Sequence, residues 1–467
     1  MGLRDIFLLV TIYGSIPFIL RKPFLGVLVW YWLSLMNPHL ISWTLTRQPF
    51  AQLIALAMLG SLLISRTEKK QIPATPITII LAVFWAWMLV TTIFSFYPQY
   101  AWGQWDKVWK IFLTTYVAII MVNSKERILT LTFVAALSIG FYGFKGGLYT
   151  ILGGGSGRVW GPPSSFIGGN NEIGLALIMT VPLLFYIRSL VDHVLVKQAL
   201  LAGIILCFFA ILGTQSRGAF VGVTAMGLYL ALKSEHKARY IFLVLLVVPF
   251  AFAFMPEEWH ERMASIADYE TDASATGRLT AWRMAFNLAL HEPFGGGFEA
   301  FMPQTYLMYL PEAGGRNTDA HSIYFEILGE QGFVGLALFL LLGTFALSAC
   351  TRIIKQTEHD PAMRWMRNLA AMLQVSLIGY AVSGAFLGLA YFDYYYALLA
   401  IVVGMTIVAK QHTEMPVTAT SPIPTASNAA ATSQGAAAYT QQPRLQLSPA
   451  AKLKQLVVWG KQWYARL

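Results

Sequence analysis

Charge is what this sequence has least of. Of 467 residues only 12% are Asp, Glu, Lys or Arg, while 56% are hydrophobic. A soluble domain carries about a quarter charged residues, and a chain this long with so little charge has more apolar surface than one water-facing core can hide. An ordinary soluble enzyme is excluded. Cysteine is almost missing too: Cys207 and Cys350 are the only two and both lie in apolar runs, which excludes a disulfide scaffold and a zinc-ribbon site. Acidic residues number 23 against 33 basic ones, for a net charge of +10. In a chain of this composition such an excess reports loops that face anionic lipid, and no nucleic-acid partner is expected.

What the sequence has in quantity is apolar runs. They fall near 6–20, 24–42, 50–65, 74–96, 108–122, 127–151, 172–188, 198–215, 218–232, 240–255, 333–351, 369–390 and 393–409. A membrane helix needs roughly 20 apolar residues, so the pattern predicts an all-α polytopic membrane protein with about 12–13 transmembrane helices. The first two runs are short and separated only by Arg21, Lys22 and Pro23, so they form a hairpin or one broken element. No small cleavage-site residues follow the first run, and it reads as retained. Basic residues orient the stack. One set of alternate loops holds sixteen Lys and Arg, and the other holds ten, four of them in the long segment 256–331 where the charge rule loses force. The sixteen-charge side reads as cytoplasmic.

Four regions follow: N-terminal transmembrane helices over 1–255, a long and partly helical periplasmic loop over 256–332, C-terminal transmembrane helices over 333–409, and a disordered cytoplasmic tail over 410–467. The tail is rich in Ala, Thr, Ser, Pro and Gln and cannot bury enough surface to order itself. Its end gathers Leu453, Leu456, Val457, Trp463, Tyr464 and Leu467 on one face with Lys452 and Lys461 elsewhere, the pattern of a basic amphipathic helix on anionic lipid or of a frayed tail.

Polar, backbone-rich segments at membrane depth are tolerated where they line a cavity or lie buried in protein. Three occur on the far face. The first runs from Gly153 through Arg158 and Pro163 to Gly168, Gly169, Asn170, Asn171 and Glu172. Its glycines permit close approach of a ligand, and Asn170 or Asn171 suits a helix cap. It lacks the Gly-Lys-Ser/Thr of a phosphate-binding P-loop, and a merely flexible loop explains it equally well. The second is Thr214-Gln215-Ser216-Arg217-Gly218, where Arg217 either clamps a phosphate or snorkels to headgroups. The third, in 256–331, holds Gly277-Arg278, Trp282, Gly295-Gly296-Gly297 and Arg316, then Asp319-Ala320-His321-Ser322-Ile323-Tyr324. Thr318 or Asp319 is expected to cap a helix that stops at Gly332, with His321, Tyr324 and Leu328 on one face. A histidine there is able to take a proton from a hydroxyl near neutral pH. Arg283 reads as a salt-bridge partner of an acidic loop residue.

Arg158 with Asn171, Ser216-Arg217-Gly218, Gly277-Arg278 with Trp282, Pro293 and Gly297, and Ala320-His321-Ser322-Ile323-Tyr324 with Glu330-Gln331-Gly332-Phe333-Val334-Gly335 resemble the bacterial O-antigen ligase superfamily over about residues 158–345. The Tyr13-Gly14 and Asn37-Pro38-His39 stretches look more specifically like the O-glycosylation ligases associated with exosortase A. The resemblance implies an inner-membrane glycosyltransferase that moves a glycan from undecaprenyl diphosphate to an acceptor hydroxyl on protein or lipid at the periplasmic face, without cofactor or metal. By motif position it implies diphosphate-binding roles for Arg217 and Arg278 and a catalytic role for His321. Arg158, Asn171, Arg316 and Tyr324 are the expected further substrate contacts. Ser322 departs from the Asn that follows the histidine in many relatives, which puts the local hydrogen bonding in question.

Other readings remain open beside it. A repeat-unit polymerase would share this chemistry. An exporter or flippase calls for ionisable residues inside the spans, and Lys145 and Asp393 are nearly the only candidates. An intramembrane protease needs a nucleophile near a base, and neither cysteine has a histidine in its own segment. Asp268, Glu270 and Asp272 are able to hold a hard cation, although solvated loop carboxylates are the expected reading. The aromatic cluster Tyr391, Phe392, Tyr394, Tyr395 and Tyr396 is able to stack on sugar rings, although an interfacial belt is the expected reading.

Overall fold

Aliphatic runs with a proline at the first helical position start several helices here, because the missing N–H of proline is one that a helix start leaves unbonded anyway. Pro23, Pro76 and Pro98 open helices in this way. Thr75 Oγ1 accepts from Thr78 N (3.2 Å), capping the start that Pro76 opens, and Ser124 Oγ accepts from Arg127 N (3.3 Å), capping one further start. A computed structural model of the chain describes residues 2–42, 44–46, 48–66, 68, 70–233, 249, 253–264, 273–316 and 318–414. Most of the expected run 240–255, the acidic stretch 268–272, and the tail beyond Glu414 with its amphipathic end lie outside the described residues.

The described helices, in chain order, are α1 (Leu3–Arg21), α2 (Pro23–Met36), α3 (Phe50–Ile64), α4 (Pro76–Ile93), α5 (Pro98–Met121), α6 (Lys125–Leu152), α7 (Asn170–Leu190), α8 (Val194–Gly213), α9 (Arg217–Lys233), α10 (Glu257–Ala264), α11 (Ala273–His291), α12 (Pro303–Tyr309), α13 (Ile323–Gln356), α14 (Arg364–Gly384) and α15 (Asp393–Glu414). No strand occurs among the described residues. Twelve of these helices occupy twelve of the thirteen expected runs, so the protein is an all-α, multi-pass membrane protein. Among the described residues seven helices, α1, α4, α6, α7, α8, α13 and α15, are both long and apolar enough to cross, fewer than the 12–13 expected. Pro23–Met36, Phe50–Ile64 and Arg217–Ala231 are shorter. The first two runs are indeed separate helices, broken at Lys22 by extended backbone and restarted by Pro23.

Residues Met1–Ile407 form one compact unit and Val408–Leu467 a second, whose described part is the end of α15. That helix continues to Glu414, a few residues past the predicted start of the tail. Within the first unit, 78% of the apolar windows of α7 and α15 is buried, against 22% for α1 and 28% for α8. So α7 and α15 form the centre, and α1 and α8 face lipid. The aromatic cluster corrects the sequence reading: Tyr391, Phe392, Tyr394, Tyr395 and Tyr396 are all buried. They surround the start of a central helix and pack inward, with Tyr395 stacked on Tyr380 of α14 at 4.5 Å between ring centroids and Tyr396 against Phe112 of α5 at 4.7 Å. Cys207 is buried between α6 and α8, where Gly143 leaves room for its sulfur and Gly147 for the Leu206 carbonyl. That packing gives this cysteine a structural place.

Helix α13 is broken at Gly332, whose φ of 66° is left-handed. The break frees carbonyls at membrane depth, and each finds a donor. Gly296 N donates to Gly329 O (2.8 Å), Gly297 N to Glu330 O (2.9 Å), and Trp87 Nε1 to Gln331 O (2.8 Å). A Cβ at Gly332 would lie 2.4 Å from Pro293 O. Gly332→Ala is therefore expected to cost about 1–3 kcal/mol from backbone strain, and more as 293–297 shifts. Thermal unfolding in detergent should show the loss, and Gly60→Ala, where nothing lies within 4 Å of the new Cβ, should not.

Candidate functional site

The Gly-rich loop is an ordered part of the site. Val159 N donates to Gly213 O (2.9 Å), Arg158 Nε to Gln215 Oε1 (3.1 Å), and Gln215 Nε2 to Gly155 O (3.4 Å), so the loop is laced to the turn after α8. Neither asparagine caps α7. Gly169 is the N-cap, and Asn170, already in the helix, donates Nδ2–H to Thr214 O (2.8 Å). Asn171 is half-buried in the first turn beside Glu172. Arg217 is the first residue of α9, and Ser216 Oγ accepts from Ala219 N (3.1 Å) ahead of it. The guanidinium thus sits at the positive end of a helix dipole, where anions are favoured.

The third segment converges on the same place. His321 does not lie in the first turn of α13, as the sequence suggested. Ser322 is the N-cap position, and His321 precedes it with a left-handed φ of 45°. The expected common face of His321, Tyr324 and Leu328 is lost with it. Ser322 Oγ is buried and makes no hydrogen bond, so the cap is formed by its backbone alone, Glu326 N donating to Ser322 O (2.8 Å). Trp282 Nε1 donates to Ala320 O (2.8 Å), its ring stacks on Phe325 at 4.8 Å, and Tyr306 OH donates to Thr318 O (2.6 Å). Together these bonds hold the backbone on both sides of His321. Burial pushes the Tyr306 phenol up to about 12, with the Asp319 charge adding and Arg316 opposing, so it remains a neutral donor to Thr318 near neutral pH. Arg278 is one helical turn before Trp282 on α11, and Gly277 faces Thr318.

Glu172 links the segments, since its carboxylate and the His321 imidazole interact electrostatically. Glu172 also lines a cavity of about 270 Å³, together with Gln104, Ser165, Phe166, Gly169, Glu326, Gly388, Leu389 and Tyr391. Of the five non-glycine residues at left-handed φ among the described residues, four lie in the three polar segments, Ser164, Gln215, Glu299 and His321, and the fifth is Asn37 after α2. Such outliers persist where the surroundings over-determine them, and they cluster at functional sites.

Not every expected contact is brought in. Arg316 is exposed in the α12–α13 connection. Arg158 is exposed but tied to Gln215. Tyr324 donates its hydroxyl to Ala381 O (2.8 Å), which fixes α13 to α14. Arg283 forms the expected ion pair with Glu312 (3.1 Å). Among the described residues no group of three His, Cys, Asp or Glu could hold a metal, and the acidic stretch 268–272 lies outside them. Lys145 is exposed on α6, and Asp393 is buried at the start of α15.

Sequence reasoning missed the carboxylates of this centre. Glu326 Oε2 accepts from Ala390 N (3.1 Å). Glu330 Oε1 accepts from Glu299 N (2.9 Å), and its Oε2 from Tyr391 OH (2.7 Å). Gln331 Nε2 in turn donates to Tyr391 OH (3.1 Å), and Thr91 Oγ1 donates to Gln331 Oε1. The i,i+4 spacing of Glu326 and Glu330 was a visible signal that both share a helix face. Gln104 gave none, because its approach is long-range, and Tyr391 was visible only as one member of an aromatic cluster.

Two family models match the chain. Residues 202–340 match the family described as O-antigen ligase, and residues 3–191 match a family of unknown function. No curated protein matches. The first match contains Arg217, Arg278, Arg316, His321 and Tyr324, and it supports placing the chain in the O-antigen ligase superfamily.

Proposed function

We propose that this membrane protein of O-antigen ligase type transfers a glycan from undecaprenyl diphosphate to an acceptor hydroxyl, on protein Ser/Thr or on a lipid A core, at the periplasmic face of the bacterial inner membrane. The observation that carries this reading is the match over 202–340, a stretch that includes Arg217, Arg278 and His321. The protein-acceptor branch rests on the likeness of the N-terminal part to the exosortase-associated O-glycosylation ligases.

The transfer is a single displacement. His321 takes the proton of the acceptor hydroxyl as its oxygen attacks the anomeric carbon. The bond from that carbon to the diphosphate oxygen breaks, and undecaprenyl diphosphate leaves with the electron pair. Arg217 and Arg278 stabilise the negative charge growing on it. The anomeric centre inverts. No protein group needs a metal for this step, because the guanidinium groups supply the positive charge.

The test uses purified full-length protein in nanodiscs with an undecaprenyl-diphosphate glycan and either a peptide or a lipid acceptor. Glycosylated acceptor is expected, at a rate unchanged by chelator. A ladder of lengthening lipid-linked glycans would replace the ligase reading with a polymerase. Donor that crosses the bilayer without being consumed would replace it with an exporter.

A further inference from the structure

Helix α11 belongs to the long segment between the spans, yet its surface is not that of a helix surrounded by water and protein alone. Ala281, Met284, Ala285 and Leu288 are buried in the core it shares with α12 and the His321 segment. The rest of its circumference divides in two. Thr280, Arg283, Asn287 and His291 share about a quarter of it, and all are polar. On that side Asn287 Nδ2 donates to Tyr309 O (2.9 Å) and Arg283 pairs with Glu312 (3.1 Å). Leu279, Phe286 and Leu290 fall in the adjoining sector, and they are 48%, 45% and 59% exposed. One exposed leucine needs no explanation, but an apolar stripe about 16 Å long that keeps its polar neighbours to one side does.

The neighbours of that stripe identify what covers it. The Phe286 ring meets Phe333 edge to face at 6.0 Å. Phe333 begins a strip of exposed residues that continues through Val334 and Leu340 along α13, a helix long and apolar enough to cross the bilayer. Just past the C-terminal end of α11, Phe294 is stacked between Trp87 and Phe94 at the end of α4, at 5.4 and 5.3 Å between ring centroids. Partly exposed aromatics of this kind gather where hydrocarbon meets headgroups. We propose that α11 lies along the membrane surface on the side of the candidate site, with Leu279, Phe286 and Leu290 immersed in the acyl chains of that leaflet and the sector of Arg283 turned to water. A soluble partner would have to displace lipid from α13 to reach the same stripe, so the occupant is lipid. This surface is independent of the transferase reading but has one consequence for it. Arg278 precedes Leu279 on the same helix, so immersion fixes its guanidinium near headgroup level, the depth at which the diphosphate of a lipid carrier lies.

The experiment is spin labelling of the full chain in nanodiscs of phosphatidylcholine and phosphatidylglycerol. Leu279→Cys, Phe286→Cys and Leu290→Cys carry the nitroxide in turn, with Val334→Cys on the exposed strip of α13 and Glu312→Cys on the polar side as references. Cys207 and Cys350 are buried, so the unsubstituted chain supplies the labelling blank. Power-saturation EPR reads collisions with oxygen, which partitions into hydrocarbon, and with a water-soluble nickel chelate. The oxygen-to-nickel ratio is expected to be several-fold higher at the three stripe positions than at Glu312→Cys, and to approach that of Val334→Cys. Nickel access at the stripe equal to that at Glu312→Cys overturns the proposal and puts the stripe in water. Low access to both reagents also overturns it and gives the stripe to a second protein chain. Elution profile and melting temperature report whether each variant is folded, and three separate positions keep the test decisive if one is not. No donor or acceptor is present in the measurement, so its failure leaves the transferase reading standing, and an absence of transfer leaves the lipid contact standing.

Discussion

His321→Ala is expected to lower glycan transfer on the order of 100- to 10,000-fold, the usual worth of a positioned general base, while leaving the protein folded. The fold should survive because His321 is half-buried and the backbone around it is held by other residues. Trp282 binds the Ala320 carbonyl and Tyr306 the Thr318 carbonyl. Removing the imidazole also relieves nothing in the core, since α13 begins only after it. The loss should appear in kcat with little change in the KM for donor, because the proton is taken in the transition state and not on binding. A variant that binds and consumes donor as fast as the wild type would remove His321 from the reaction. His321→Gln separates the base from a mere hydrogen-bond partner: it is expected to be as inactive as the alanine variant, since an amide keeps the contact but takes no proton.

The same histidine shows how far the sequence could be read. Its company of arginines was legible as a spacing pattern, and the helix after it was legible from the apolar run. Its own conformation was not, because a left-handed residue before an N-cap leaves no trace in hydrophobic periodicity. The membrane helices were the easiest part, since bilayer thickness imposes their length on the sequence. What failed was depth within the bundle. Tyr394 and Tyr396 sit in a helix whose every side is covered, so aromatics that would mark an interface on α1 are core on α15. Glu172 failed for a related reason. In sequence it is one polar residue at a helix start, and only the packing of α7 beside the His321 segment gives it a partner. Gly332 went better: read as a stop, it is a break whose freed carbonyls are met by Gly296 and Gly297, two motifs seen separately and joined only in space.

Arg217→Ala and Arg278→Ala should each lower transfer about 100- to 1,000-fold, the cost of removing one preorganised donor from a developing negative charge. The two come from different elements, Arg217 from the first residue of α9 and Arg278 from α11, so each deletion leaves the other guanidinium and its scaffold in place. If the two act on one diphosphate, as proposed, the double variant is expected to lose less than the product of the single losses. Lysine should restore Arg217 only in part: the dipole at the start of α9 still favours an anion, but an ammonium lacks the planar fork that holds two phosphate oxygens at once. Parallel kinetics for donor and acceptor make the result decisive. If charge on the leaving group is what the arginines stabilise, kcat falls and the KM for acceptor stays level. A loss confined to acceptor KM would move both arginines from the diphosphate to the acceptor and reverse the direction in which the reactants lie across His321.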